Sequence, residues 1–227
     1  MSLEERFGHT FGEPALLRLA LTHRSVSSED PGRKDNERLE FLGDAFLNFT
    51  VARRLYELRP ADSEGDLSRA RAALVNQSTL AAIGREIEID GQLVLGRGEL
   101  RSGGAQRAAV LADALEAVIG AVFLDGGHAR AERLIDTLFT DRFERLPESA
   151  DLKDPKTRLQ EWLQGRGLTL PTYTVDSVQG REHEQMFTVV CEVEQRGARA
   201  TGRGRSRRLA EQQAAAVMLA ELAVEDE

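Results

Sequence analysis

Residues 36–47 read NERLEFLGDAFL, a stretch with helical periodicity that also carries three carboxylates. At about 100° per residue, one side of the predicted helix is apolar and is expected to face a core. Its members are Leu39, Leu42, Phe46 and Phe49. The acids Glu37, Glu40 and Asp44 fall within about one sixth of the circumference on the other side. Because acids at this spacing repel one another along a helix, the face is either solvated or compensated by a cation.

A second predicted helix, residues 108–124, is almost entirely apolar and reads AAVLADALEAVIGAVFL. Its charged residues are Asp113 and Glu116, one turn apart. The small residues that share their face are expected to leave open space beside the acids; they are Ala109, Ala117 and Gly120. The opposite side is predicted to face the core and consists of Leu111, Leu115, Val118 and Val122. Uncompensated acids are unfavourable in so apolar a helix, so a salt bridge or a metal site competes with a solvated face.

The two acidic faces share a chemical interpretation if the helices lie against each other. Roughly four or five carboxylate oxygens would then converge, without His or Cys close by in sequence. His23, in LTHRSV, is too far along the chain to be predicted as a ligand by spacing. All-oxygen ligation favours Mg²⁺ or Mn²⁺ over zinc, and such sites support attack of water on phosphoryl groups. All-α nucleotide pyrophosphatases use the same logic, whereas a ferritin-like di-iron centre is disfavoured because its Glu-x-x-His spacing is absent.

Glu64 belongs to a weaker acidic pattern, ADSEGDLS. Ser63 and Asp66 flank it at the start of a predicted helix. Serine at an N-cap and acids in the first turn are ordinary helix-capping features. Spacing alone therefore predicts a capping role here.

The composition describes a folded protein of a reducing compartment. The chain has 227 residues, 41% hydrophobic and 30% charged, with one cysteine, Cys191. The N-terminal residues lack the apolar run of a signal peptide, and the longest apolar run is broken by two acids. We therefore expect a cytoplasmic protein without membrane contact. The net charge of −8 argues against a nucleic-acid partner when it is taken alone.

Two domains are predicted from a change in periodicity. Residues 1–147 show helical stripes almost throughout, near 13–22, 36–58, 66–74, 77–86, 108–124 and 128–144. Residues 148–153 form a polar linker, and residues 154–224 follow the order α-β-β-β-α. The fold class is therefore an all-α N-terminal domain followed by a small α+β domain, with helices on one face of its sheet.

The second domain carries a basic cluster. Residues 196–208, RGARATGRGRSRR, hold six arginines and no acid. The last helix is expected to begin near Ser206, a good N-cap. Arg207 and Arg208 follow at the end where the helix dipole disfavours cations, which favours an external anion such as phosphate. A plain solvated basic loop is the alternative.

Four further residues, in a helix and in a turn, extend this interpretation towards RNA. Thr157, Gln160 and Glu161 lie on one face of the domain's first helix, and their short donors and acceptors suit sugar hydroxyls. His183, in the GREHEQ turn, is either a polar turn residue or a probe into a groove. Three contact points separated by strands suit shape recognition of duplex RNA.

These motifs together resemble the ribonuclease III family. NERLEFLGDAFL is similar to the family's signature, and LTHRSV, EGDLSRARAALVN, GELRSGG and LADALEAVIGAVFLDGG follow in the family's order. KDPKTRLQEWLQGRG, PTYTV, GREHEQMFTV and GRGRSRRLAEQQAAA resemble its double-stranded-RNA-binding domain. The resemblance covers essentially the whole chain.

The resemblance implies a homodimeric, Mg²⁺-dependent endonuclease that cuts duplex RNA, with Mn²⁺ as a substitute and no small-molecule cofactor. It implies products with 5′-phosphates, 3′-hydroxyls and short 3′ overhangs, and processing of ribosomal-RNA precursors and other structured RNAs. The implied metal ligands are Glu40, Asp44, Asp113 and Glu116, of which Asp44 and Glu116 are the most directly catalytic. Glu37 and Glu64 are implied accessory acids, with Glu64 reaching RNA across the dimer. Phe41, on the acid side of its helix, is implied to pack into the partner subunit.

Departures from the family pattern are small. Ala109 stands where many relatives have serine, and Leu209 and Glu211 follow the two arginines where other RNA-binding domains are richer in lysine. The rival function is a non-catalytic, dimeric duplex-RNA-binding protein, which would be indicated by a gap in the acid set. None of the four implied metal ligands is missing. A nucleotide pyrophosphatase would leave the second domain unexplained.

Overall fold

The computed structural model describes residues 2–148, 152–181 and 184–225 of the chain. These residues divide into two compact units, Met1–Ser149 and Ala150–Glu227. Part of the predicted linker, residues 149–151, lies outside the described residues, so its limits stay a prediction. In the described part of the chain, no helix is both long and apolar enough to cross a bilayer.

The first unit is helical, as the periodicity predicts. Its helices are α1 (Leu3–Phe7), α2 (Pro14–Ala20), α3 (Arg24–Glu29), α4 (Glu37–Leu58), α5 (Glu64–Leu74), α6 (Gln77–Glu86), α7 (Arg97–Arg101), α8 (Ala108–Gly126) and α9 (His128–Glu144). The three short helices α1, α3 and α7 were not predicted from periodicity, because five or six residues are too few to show a 3.6-residue repeat.

Helix α8 forms the centre of this unit. The predicted core side is confirmed, since Leu111, Leu115, Val118 and Val122 are all fully buried. Burial also extends around most of the remaining circumference, and α2, α4, α6 and α9 pack against it. A helix that is apolar on nearly all sides belongs in the interior of its domain.

Helices α4 and α8 touch backbone to backbone at two glycines. A methyl group at Gly43 would lie 1.7 Å from the carbonyl oxygen of Glu116, and one at Gly120 would lie 2.3 Å from the carbonyl oxygen of Leu39. The expectation of open space beside the acids of α8 is therefore wrong at Gly120, where α4 fills it. It is also wrong at Ala117, which is fully buried.

The predicted core stripe of α4 is correct at Leu39 and Phe46 but wrong at Phe49, whose side chain is 57% exposed. The contact at Gly43 explains the difference. Leu47 and Val51, one and two turns beyond Gly43, are fully buried and extend the stripe around the helix, away from Phe49. Phe49 is two residues from either, a rotation of about 200° that turns it to the opposite side of the helix.

The second unit is an α+β fold, which confirms the predicted order α-β-β-β-α. Its elements are α10 (Pro155–Gln164), β1 (Thr172–Gln179), β2 (Met186–Val193), β3 (Ala198–Gly204) and α11 (Arg207–Glu225). The strands form an antiparallel sheet in the order β1-β2-β3, with an irregularity between Val175 and Ser177. The buried core joins the two helices to β2 and β3, and Leu159, Cys191 and Met218 are fully buried members. Helix α11 can approach β3 closely because Gly202 has no side chain there.

Candidate active site and nucleic-acid interface

Three carboxylates converge where α4 and α8 cross. Glu40, Asp113 and Glu116 each place a carboxylate oxygen within 4.8 Å of the others. Glu40 lies one turn before Gly43, and Glu116 lies one turn before Gly120. The close approach of the two glycines therefore brings acids from separate helices together. This cluster, Glu40–Asp113–Glu116, is called the carboxylate cluster below.

Burial and mutual repulsion raise the pKa values of the carboxylate cluster. The pKa of Glu116 rises to about 8, first because of burial and then because of the negative charges of Asp44, Asp113 and Glu40. Burial also raises the pKa of Glu40, with Asp113 and Glu37 adding to the effect. The pKa of Asp113 is raised by burial and lowered in part by His23 and Arg24. Without a cation, Glu116 therefore retains its proton at neutral pH.

Asp44 lies one turn after Glu40 but is not gathered into the carboxylate cluster. Its side chain is exposed, and its Oδ1 accepts a hydrogen bond from Asn48 Nδ2 at 2.7 Å. Its charge nevertheless contributes to the raised pKa of Glu116. The fourth predicted ligand is therefore an electrostatic neighbour of the cluster in this structure.

The two predicted accessory acids are exposed. Glu37 begins α4, and its Oε1 lies 3.5 Å from Arg24 Nη1. Glu64 begins α5 and accepts a hydrogen bond from Ser68 Oγ at 2.8 Å. The predicted cap beside it is confirmed, because Ser63 accepts a hydrogen bond from the backbone nitrogen of Asp66. Glu64 is outside the carboxylate cluster within this single chain.

Residues of the LTHRSV segment interact electrostatically with the carboxylate cluster, which sequence spacing did not reveal. His23 is buried and caps the N-terminus of α3, where its ring accepts a hydrogen bond from the Ser25 backbone. Arg24 follows as the first residue of α3. A cation at a helix N-terminus was the available signal in the sequence, since the dipole disfavours it there.

Phe41 points away from its own core. The side chain is 79% exposed although it stands beside Glu40 in the same helix. Single exposed apolar side chains are common on protein surfaces, so the exposure of Phe41 makes it available for an interface without requiring one.

The start of α11 presents the predicted basic group. Ser206 caps the helix, since its Oγ accepts a hydrogen bond from the Leu209 backbone at 3.2 Å. Arg207 and Arg208 are exposed on the first turn. Glu211, one turn later, accepts from Arg207 Nε at 2.8 Å and from Lys156 Nζ at 2.7 Å. These bonds, that from Lys156 first, lower the pKa of Glu211 and keep it ionised.

The predicted face of α10 lies partly beside this group. Thr157 and Gln160 line a shallow hollow together with Arg208. Thr157 Oγ1 also donates to Asp154 Oδ2 at 3.0 Å, and Glu161 pairs with Lys153 Nζ at 2.7 Å. His183 lies outside the described residues, and its contact stays a prediction.

Two family models match the chain. Residues 13–142 match a family described as Ribonuclease-III-like, and residues 155–222 match the double-stranded RNA binding motif. The first match spans the carboxylate cluster, and the second spans the basic start of α11.

Curated relatives match along nearly the whole chain. A protein named Ribonuclease 3 from Nitrosococcus oceani is 53% identical over 98% of this chain and 94% of its own length. A protein of the same name from Vibrio cholerae is 50% identical over 97% of this chain and 96% of its own length.

Solved structures match the first unit. The nuclease domain of ribonuclease III from Campylobacter jejuni is 37% identical, with a TM-score of 0.59, over 64% of this chain and 96% of that domain. A second structure of that nuclease domain is 39% identical, with a TM-score of 0.56. The match covers 61% of this chain and 96% of that domain. This second structure is described as showing structural flexibility in a region involved in dimer formation.

Proposed function

Since the chain belongs to the ribonuclease III family and is an endoribonuclease acting on double-stranded RNA, we propose that its carboxylate cluster binds Mg²⁺ for hydrolysis of the RNA backbone. The observation that carries this proposal is the convergence of three acids from two helices in the region that matches the nuclease family. The proposed products carry 5′-phosphates and 3′-hydroxyls with short 3′ overhangs.

The residues present fit a hard divalent cation. All the metal-ligand atoms that the carboxylate cluster offers are oxygens. Oxygen ligands favour Mg²⁺ or Mn²⁺. The pKa of Glu116 is raised to about 8 by burial and, to a smaller extent, by the charges of Asp44, Asp113 and Glu40, so an ionised Glu116 is unfavourable here without a cation. We propose Asp44 as a fourth ligand, which requires it to exchange its hydrogen bond from Asn48.

The protein's own residues would prepare the reaction by holding charge in a fixed place. The Gly43–Gly120 contact fixes the separation of Glu40 from the two acids of α8, and such preorganisation is a large part of electrostatic catalysis. Glu116 would release its proton as a cation binds. When bound, Mg²⁺ would activate water and stabilise the departing 3′-oxygen.

A homodimer would bring two such sites to one duplex. The exposed Phe41 supports this proposal, because it offers an apolar contact beside the carboxylate cluster. The Campylobacter jejuni nuclease domain is described as having a region involved in dimer formation, which supports the proposal too. Glu37 and Glu64 would act as accessory acids, with Glu64 reaching the RNA bound mainly by the partner subunit.

The second unit would hold the duplex by its backbone. Arg207 and Arg208 would contact phosphates at the start of α11, while Ser206 keeps that helix end in place. Thr157, Gln160 and Glu161 would face the minor groove, where 2′-hydroxyls are accessible. We expect His183 to provide the remaining contact. The substrates would be ribosomal-RNA precursors and other structured RNAs in the cytoplasm.

Incubation of the purified protein with a long perfect RNA duplex tests the proposal. Cleavage is expected with Mg²⁺ or Mn²⁺, none with excess chelator, and none of a matched single strand. Products should ligate through their 5′-phosphates and show short 3′ overhangs. A duplex that stays bound but intact with every metal would support the rival function, a non-catalytic RNA-binding protein.

A further inference from the structure

In the LTHRSV segment, three of the four polar side chains make hydrogen bonds that stabilise the local fold, and the fourth, Arg24, does not. Thr22 donates to a backbone carbonyl one turn earlier, at 2.7 Å. His23 caps α3, and Ser25 accepts a hydrogen bond from the Gly96 backbone at 2.8 Å. Arg24, in contrast, extends an exposed side chain between these anchored neighbours.

Arg24 lies beside the acidic face of α4. Its Nη1 lies 3.5 Å from Glu37 Oε1, one turn before Glu40 on α4. Its positive charge also partly offsets the burial that raises the pKa values of Glu40 and Asp113, which belong to different helices. The guanidinium thus contacts an acid of α4 and acts electrostatically on the acids of both helices.

Stability does not account for a cation at this position. Arg24 is the first residue of α3, where the helix dipole opposes positive charge. Its ion pair with Glu37 is solvent-exposed on both sides, at 68% and 55% of the side-chain surface. Exposed pairs of this kind contribute little to folding.

We propose that Arg24 binds a phosphate of the RNA strand beside the one that is cleaved. This inference rests on the proposed function, because it assumes that duplex RNA enters the carboxylate cluster. A guanidinium has five donors in a planar fork that suits phosphate oxygens. Arg24 exchanges its weak pairing with Glu37 for phosphate, and so anchors the strand at a site whose carboxylates repel it.

The test compares Arg24→Ala and Arg24→Lys with Arg145→Ala in the full-length protein. Arg145 is a matched control, since it is exposed and pairs with Asp141 at 3.8 Å near the end of α9. Duplex cleavage is followed at saturating Mg²⁺ to give KM and kcat, and KM is measured over a range of salt. Arg24→Gln, which keeps a long polar side chain, replaces Arg24→Ala if that variant does not melt cooperatively.

We expect Arg24→Ala to raise KM about tenfold. The slope of log KM against log salt concentration should also become smaller by about one, as loss of one phosphate contact predicts. Its kcat should stay within about threefold of wild type, because the phosphate contact stabilises the bound substrate and the transition state equally. Arg24→Lys should recover part of the KM, and Arg145→Ala should match wild type.

An unchanged KM and salt slope in Arg24→Ala would overturn the inference. So would a lower kcat at wild-type KM, or tighter Mg²⁺ binding as the sole effect, since either result would make Arg24 a partner of the acids alone. Failure of the wild type to cleave duplex RNA would instead count against the proposed function.

Discussion

Gly43 of α4 and Gly120 of α8 lie directly against each other. A Cβ atom on Gly43 would be 2.9 Å from the backbone nitrogen of Gly120, and one on Gly120 would be 3.1 Å from that of Gly43. Because Glu40 and Glu116 each lie one turn before these glycines, the same contact determines how closely the acids approach.

Gly120→Ala should therefore damage both the fold and the site. The added methyl would meet the Leu39 carbonyl oxygen at 2.3 Å, so the helices must separate. We expect a loss of about 1–3 kcal/mol in the free energy of unfolding, typical of an overpacked core, with weaker duplex cleavage. Urea unfolding measures the first effect. The control is Gly91→Ala, where a Cβ has open space; equal stability of the two variants would contradict this account.

The stability of the metal-free protein should fall as pH rises. The pKa of Glu116 is raised from 4.5 to about 8 on folding, chiefly by burial. Such a group stabilises the fold fully below the lower pKa, and its contribution is lost as pH rises through the higher one. With chelator, the Tm is expected to drop between about pH 5 and about pH 9.

Glu116→Gln isolates this contribution, because it keeps the shape of the side chain but cannot ionise. Its Tm at high pH should exceed that of wild type by at least about 3 °C, the effect of ~1 kcal/mol in a chain of this size. The exposed Glu13→Gln serves as control. Parallel Tm curves for wild type and Glu116→Gln would show that burial of Glu116 carries no such penalty.

Phe41→Glu should separate the proposed dimer without unfolding the subunit. The side chain is 79% exposed, so the change adds no buried charge within the chain. Sedimentation should show a shift from dimer towards monomer, and cleavage should fall with it. Leu124→Glu, another exposed apolar position, is expected to stay dimeric. If the Phe41→Glu variant stays fully dimeric, Phe41 is not part of the dimer interface.

Arg208→Ala should weaken duplex binding about five- to tenfold and reduce the salt slope by about one, as loss of a phosphate contact does. Filter binding to a duplex without metal measures both quantities. Arg199→Ala is the control within the same basic stretch, because Arg199 lies on β3 and faces Glu192 at 3.9 Å. Equal effects of the two substitutions would show that the stretch acts only by its total charge.

The sequence predicted the strands, the helices longer than six residues and the acid faces because all of these follow from residue spacing. The strand Ala198–Gly204 and the helix pair carrying Glu40, Asp113 and Glu116 were found in this way. Family resemblance added roles for Glu64 and Phe41 that spacing could not supply, and these roles remain predictions.

What spacing missed depends on contacts between distant segments. The role of Gly120 as a crossing point becomes visible only when α4 lies against it, and the same contact turns Phe49 outward. Arg24 was overlooked because 89 residues separate it from Asp113, although their charges interact in the fold. Local sequence patterns do not show which distant segments come together in the fold.

Single-turnover cleavage of a long RNA duplex by Glu116→Gln, measured beside its binding affinity for the same duplex, tests the central claim most directly. We predict a loss of at least about 10³-fold in the cleavage rate, equivalent to roughly 4 kcal/mol of transition-state stabilisation, with binding within about threefold of wild type. Wild-type cleavage by this variant would contradict the claim that the carboxylate cluster is the catalytic centre. Loss of cleavage and binding together would contradict the division of labour between the two units.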